Sequence, residues 1–450
     1  MLWVCSLHGV QNFAGVYTHL ATRFDEFRHF WMTAPPMAGA WGVDVFFVLS
    51  GFLLGGALHR EMLKTGRVAI GRFFVRRVFR IYPALLVTAW VFTPLQEFTA
   101  GWTIGCPNKK WWMNLWVFNN FVSWSEPGNV CVSHAWSVSV ELQMYMVTPL
   151  LVGSAWAVAR LAGGERRPWL TPIRCVVAAC AISLTTCFAW RLQYMASYDP
   201  TYRVEFHLQT PYRFGTYFSG VAAGALVTEW RARGKLEAES GGGAAASLAL
   251  LACAFALIGA PVLGCEELVH TGLQGPPSMA TLMLVAVGRP LFSVAVAGLL
   301  VLCSCGCAPR VSEFLGAKAW KPLAALSYSM YLLQFVGWGF FGRLWVPTAG
   351  ALVGALGERS APWRVALAGW PHIGAWILAD VPLSLLCYLL VEHPGMELGQ
   401  RLVADAAPLK SSGEAPGHGM PPADTASGFG CCGEDVERCL LIEKVAPTDA

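Results

Sequence analysis

The sequence predicts an all-α fold, a polytopic membrane helical bundle of about ten transmembrane helices. Three observations predict it. Only 13% of the 450 residues are charged and 55% are hydrophobic, where a soluble domain carries about 25% charged residues. So few charges cannot cover several water-facing globules, and the mean hydropathy of +0.48 agrees. Apolar runs of membrane-spanning length recur along the chain, and Lys and Arg gather in alternate loops between them.

The runs lie near 1–20, 38–58, 79–97, 134–159, 172–190, 212–230, 246–264, 281–305, 323–346 and 366–392. The first, MLWVCSLHGVQNFAGVYTHL, has no positive leading segment, so it does not read as a secretory signal. It reads instead as the second half of a membrane helix, truncated at its N-terminal side. The second, GVDVFFVLSGFLLGG, carries small residues suited to close helix packing. RFFVRRVFRIYP leads into the third, and HAWSVSVELQMYM opens the fourth. The fifth and sixth are mostly apolar, with Arg174, Arg213 and Glu229 near their ends, and the seventh carries no Lys, Arg, Asp or Glu. Arg289-Pro290 interrupts the eighth, whose crossing is expected to start at Pro290. The ninth contains LSYSMYLLQ, and the tenth runs into VEHPG. Residues 1–400 therefore form one membrane domain. Over 401–450 Pro, Gly, Ser, Asp and Glu replace the apolar runs, which reads as a disordered cytosolic tail.

Seventeen Lys and Arg follow the even-numbered spans, against ten in the longer loops after odd-numbered ones. The even loops are then cytosolic, and both termini face the cytosol. Plasma membrane and endomembrane are not distinguished. The 98–133 loop falls on the opposite side, where a Cys106–Cys131 bridge can persist, though spacing alone leaves the bridge open. Most other cysteines lie inside apolar runs and read as small buried thiols. In the tail, Cys431, Cys432 and Cys439 read as free thiols, with palmitoylation the alternative. The net charge of +4 is too mild and dispersed for a nucleic-acid partner. No phosphate-binding glycine loop, zinc-type spacing or GxSxG turn is present, so neither a metal site nor a serine hydrolase has support.

Ionisable groups inside spans are costly and mark candidate sites. His8 is either a packing histidine or a general base. Asp44 and Ser50, about 600° apart around a helix, read as structural. Glu141 lies about 700° from His134, on the same face, and needs a partner, a proton or a wet cavity. Arg72, Arg76, Arg77 and Arg80 crowd one end of the third span, with Arg76 and Arg80 one helical turn apart. They suit either anionic lipid headgroups or a phosphorylated ligand.

Five of these segments, in order, resemble blocks of the acyltransferase 3 family, specifically its eukaryotic branch related to the nose-resistant-to-fluoxetine proteins. They are LWVCSLHG, GVDVFFVLSGFLLGG, RRVFRIYP, HAWSVSVELQMYMVTPLL and LSYSMYLLQ, with RFGTYFSGVAAGAL and VEHPG in weaker support. The resemblance covers about residues 1–400. It implies transfer of an acyl group, often acetyl, from acyl-CoA to a hydroxyl of a sugar, lipid or small molecule, with no permanently bound cofactor. It implies His8 as catalytic base, Glu141 as a further site carboxylate, and Arg76, Arg77 and Arg80 as the holders of the donor's phosphates. Two departures stand out. The family's arginine about eleven residues before the histidine would precede Met1, and Gln334 occupies a position where the family usually has His. The competing expectation is a non-enzymatic membrane protein, a transporter or an inactive relative. A transporter would show an internal repeat, and none stands out; an inactive relative would have lost His8 or the arginines.

Overall fold

The computed structural model describes residues 1–16, 33–92, 112–121, 132–163, 167, 169–196, 208–234, 248–259, 279–342, 344–345, 347–348, 351 and 362–405. No strand occurs among them. Each apolar run of the sequence holds a helix: α1 Leu2–Val16, α2 Gly42–Thr65, α3 Ile70–Val87, α4 Trp136–Ala162, α5 Pro172–Ala196 and α6 Phe214–Ala232. The series continues with α7 Leu248–Gly259, then α8 Met279–Ser304, α9 Lys321–Gly337 and α10 Pro362–Cys387. Wide π turns extend α3 over Thr88–Phe92, α9 over Trp338–Gly342 and α10 over Tyr388–Glu392. Among the described residues, five apolar stretches are long enough to cross a bilayer by length and composition: Ala34–Thr65, Trp136–Ala162, Pro172–Gln193, Ala286–Ser304 and Gly369–Ala404. Leu150, Leu161, Ile182, Leu248, Leu378 and Leu390 project outward from the bundle, the arrangement that hydrocarbon as solvent favours.

The expected tail boundary at 401 falls within a helix. Helix α11, His393–Asp405, continues directly from α10 through the π turn. Residues 406–450, and with them Cys431, Cys432 and Cys439, lie outside the described residues, as do Cys106 and Cys131.

Lipid supplies no hydrophobic force between helices, so close packing has to do it. Helices α2 and α6 meet backbone to backbone along Gly51, Gly55, Gly56, Gly220 and Gly224. A Cβ at Gly55 would stand 2.7 Å from the Val221 Cα, and one at Gly224 would stand 2.8 Å from the Phe52 carbonyl carbon. At one end of this seam the Trp156 indole donates to His59 Nδ1 at 3.3 Å. His59 Nε2–H is thereby left to donate to Glu229 at 2.7 Å. Farther along, α1 leans on α10, where a Cβ at Gly9 would sit 3.3 Å from the Ile373 Cα.

Arg289-Pro290 does not break the eighth span, which corrects the expected start at Pro290. Helix α8 runs through it, and the crossing stretch begins at Ala286. Proline removes the N–H that would bond the carbonyl four residues back, that of Ala286. Arg191 Nε donates to that carbonyl at 3.1 Å instead. The charge of Arg289 is met by Asp44, which is fully buried and also accepts from Arg213 Nη1 at 2.7 Å. Trp41 and Trp136 lie against the two guanidinium groups, 4.7 and 5.4 Å away. Asp44 is thus a structural junction of α2, α6 and α8, as its place in the sequence suggested.

Candidate active site

His8 stands on α1 with its ring edge-on to Phe335 of α9, centroids 5.0 Å apart. Its Nδ1 is 3.2 Å from the Gln11 Oε1. An amide oxygen only accepts, so Nδ1 carries the hydrogen and Nε2 keeps a lone pair, the form a base requires. A second histidine packs on the same phenyl ring. His134, in the helical turn Ser133–Ala135 before α4, has its ring 4.9 Å from that of Phe335. Its Nε2–H donates to the Leu332 carbonyl at 3.0 Å. Its Nδ1 is buried, with no hydrogen-bond partner among the described residues. The two imidazoles therefore hold opposite tautomers beside one apolar ring. In the sequence His134 marks only the face of Glu141, and that shared face is the one signal that points to it.

Glu141 sits farther along α4, and its hydrogen bonds run to α2 and within α4. Ser50 Oγ donates to Glu141 Oε1 at 2.6 Å. The Tyr145 hydroxyl donates to the same oxygen and lies 2.8 Å from Ser50 Oγ. Ser50, read as structural from the sequence, is therefore part of the carboxylate's shell. His8 bonds Gln11 and Glu141 bonds Ser50 and Tyr145, so no direct hydrogen bond joins the two predicted site residues among the described contacts.

The spacing on α4 explains what links them. Ser137, Glu141 and Tyr145 follow at four-residue intervals and share one face. Ser137 Oγ lies 2.7 Å from the Tyr331 hydroxyl, which donates to the His134 carbonyl. Polar groups thus run along α4 from Tyr145, past Glu141 and Ser137, to His134 and the ring shared with His8. Gln143, off this face, serves another purpose. It donates to the Val117 carbonyl at 2.6 Å and to Asn120 Oδ1 at 3.0 Å, and it accepts from Thr210.

The arginines close the other end. Arg77 is half-buried, its guanidinium 5.2 Å from the centroid of the Tyr145 ring. Arg72, Arg76 and Arg80 are exposed on α3. Arg77 is the inward member of the block, while Arg76 and Arg80 present donors at the surface. Gln334 is buried on α9; its Nε2 donates to the Tyr331 carbonyl at 3.1 Å, and its Oε1 has no partner among the described residues. Among the described residues no three His, Cys, Asp or Glu side chains converge to hold a metal ion.

A family model described as an acyltransferase domain matches residues 1–390. The chain is similar to the O-acetyltransferase OatA of Staphylococcus aureus (strain NCTC 8325 / PS 47), 32% identical over 127 residues, which is 25% of this chain and 20% of the relative. OatA of strain COL matches to the same degree. SACOL0978 of strain COL, provisionally named an O-acetyltransferase, is 28% identical over 137 residues, 27% of this chain and 21% of the relative. The matched region thus spans about a fifth of these relatives' length. No solved structure matches significantly.

Proposed function

The chain belongs to the acyltransferase family whose model spans residues 1–390, and from that premise we propose that it is a membrane-embedded O-acyltransferase. The donor is acyl-CoA and the transferred group an acyl, often acetyl, unit. The acceptor is a hydroxyl of a sugar, lipid or small molecule. We place the chain in the eukaryotic branch related to the nose-resistant-to-fluoxetine proteins, with about ten crossings and both termini cytosolic, on its sequence blocks and Lys and Arg distribution. The O-acetyltransferase names of its relatives support the reaction class.

The observation that carries the mechanism is the polar line from Arg77 through Tyr145, Glu141 and Ser137 to His134 and His8. On this reading Arg76 and Arg80 hold the donor's phosphates from the cytosol by charge-assisted forks, and Arg77 marks where the bundle admits the acyl end. His8 Nε2 takes the acceptor's hydroxyl proton as the oxygen attacks the thioester carbonyl. A C–O bond forms, the C–S bond breaks, and the departing thiolate recovers the proton from the imidazolium. Glu141, held by Ser50 and by the Tyr145 that Arg77 covers, is the further site carboxylate on this reading.

The test is mass spectrometry of lipids and glycans from cells with and without the full-length protein, and with its His8→Ala variant. A product heavier by one acyl unit, lost in the variant at equal amounts of folded protein, is expected. Retained product in the variant removes His8 as the base. No product from folded wild-type protein favours the non-enzymatic reading.

A further inference from the structure

The C-terminal end of α8 carries a run, Cys303-Ser304-Cys305-Gly306-Cys307, that acyl transfer leaves unused. The bilayer-crossing stretch ends at Ser304, inside the run. The helix stops there by a glycine cap. Gly306 adopts φ +73°, the Gly306 N–H donates to the Cys303 carbonyl at 3.3 Å, and the Cys307 N–H reaches back to the Leu302 carbonyl at 2.9 Å. Three thiols are thereby held on the last turn and its cap. All three are half-buried, and none is in a disulfide.

The segment beyond the cap fixes their depth. The short helix Pro309–Leu315 buries none of its residues. Phe314 is 62% exposed and Leu315 53%. Phe314 also meets Trp320 edge-on at 5.6 Å, and the Trp320 indole donates to its carbonyl at 2.9 Å. Bare apolar side chains beside Arg310, Lys318 and Lys321 are the composition of a segment lying in the headgroup layer. A thiol at that level, at the end of a membrane helix, has a fatty chain's destination directly beside it.

We propose that Cys303, Cys305 and Cys307 form an S-acylation site for long-chain fatty acyl groups. A cysteine thiolate attacks the carbonyl of a long-chain acyl-CoA on a cellular S-acyltransferase. The new Cys–S–acyl bond forms as the coenzyme A thioester breaks, and coenzyme A leaves with the proton the cysteine gave up. The bound chain enters the bilayer beside α8 and pins the Pro309–Leu315 segment to the membrane surface. The proposal rests on the cytosolic placement of the loop after α8 given under Proposed function, because S-acylation takes place on that face.

The full-length protein from insect cells, treated with hydroxylamine and then with a PEG-maleimide, reads the modification as a gel shift. Hydroxylamine-dependent tags are expected. They should disappear in Cys303→Ser/Cys305→Ser/Cys307→Ser and persist in Cys431→Ser/Cys432→Ser/Cys439→Ser. The same triple change to Ala, with size-exclusion profiles of both triples, separates loss of the site from loss of folding. No hydroxylamine-dependent shift, or one that survives in a folded triple variant, overturns the proposal. An impermeant maleimide applied to intact cells and to cells opened with digitonin reports the side independently. Labelling of the run in intact cells, or only after detergent dissolves every membrane, overturns the orientation and the proposal together, whereas a run that labels on digitonin opening and carries no acyl group overturns the proposal alone.

Discussion

Asp44→Ala removes a carboxylate shared by Arg289 of α8 and Arg213, the residue that precedes α6. Asp44 is fully buried, Arg213 Nη1 donates to it at 2.7 Å, and Arg289 Nη1 bonds its other oxygen. Removing one partner of a buried ion pair costs about 3–5 kcal/mol, most of it the penalty of leaving the opposite charge unneutralised. Two guanidinium groups depend on this one carboxylate, so the upper part of that range applies, about 4–5 kcal/mol. That is roughly three orders of magnitude in the unfolding equilibrium. Asp44→Asn keeps an acceptor and the shape but not the charge, and should lose roughly half as much. Denaturant titration of purified protein in lipid nanodiscs measures both. Arg213→Met should lose less on the Asp44→Ala background than alone, since the partner is already gone. A loss below about 1 kcal/mol for Asp44→Ala, or strict additivity with Arg213→Met, would refute the reasoning.

Two further predictions concern the line of polar groups. Glu141→Gln still accepts from Ser50 and Tyr145, so its stability should fall by only about 1 kcal/mol, while turnover on the identified acceptor falls at least roughly tenfold; unchanged turnover at equal folded protein removes the carboxylate's charge from the reaction. Arg76→Gln/Arg80→Gln should raise the KM for acyl-CoA about tenfold or more and flatten its salt dependence, with kcat little changed, because screened surface forks contribute binding alone; a fall in kcat at constant KM would place these residues elsewhere in the mechanism.

What the sequence made legible was local. Apolar run length located the helices, and the spacing of Arg76 and Arg80 set them on one helical face with Arg77 a position round. His8 and Glu141 stood out because an ionisable group in a span is conspicuous by itself. Gln11 and Tyr145 stand within about a turn of them, but the partners that other helices contribute were not legible, because those are far away in the chain. Ser50 lies 91 residues from Glu141, and Leu332 lies 198 from His134; neither contact leaves a periodic trace. Arg289-Pro290 misled for the same reason. Read locally it is a charge and a helix breaker, and only Asp44 and Arg191, distant in sequence, supply the charge and the donor that let the helix continue.

The glycine seam between α2 and α6 also limits traffic. Two backbones that leave no width for a methyl group cannot part to admit a guest, and they travel as one plank when the bundle flexes. On the proposed reaction, an acceptor arriving sideways from the bilayer therefore has no doorway on that side.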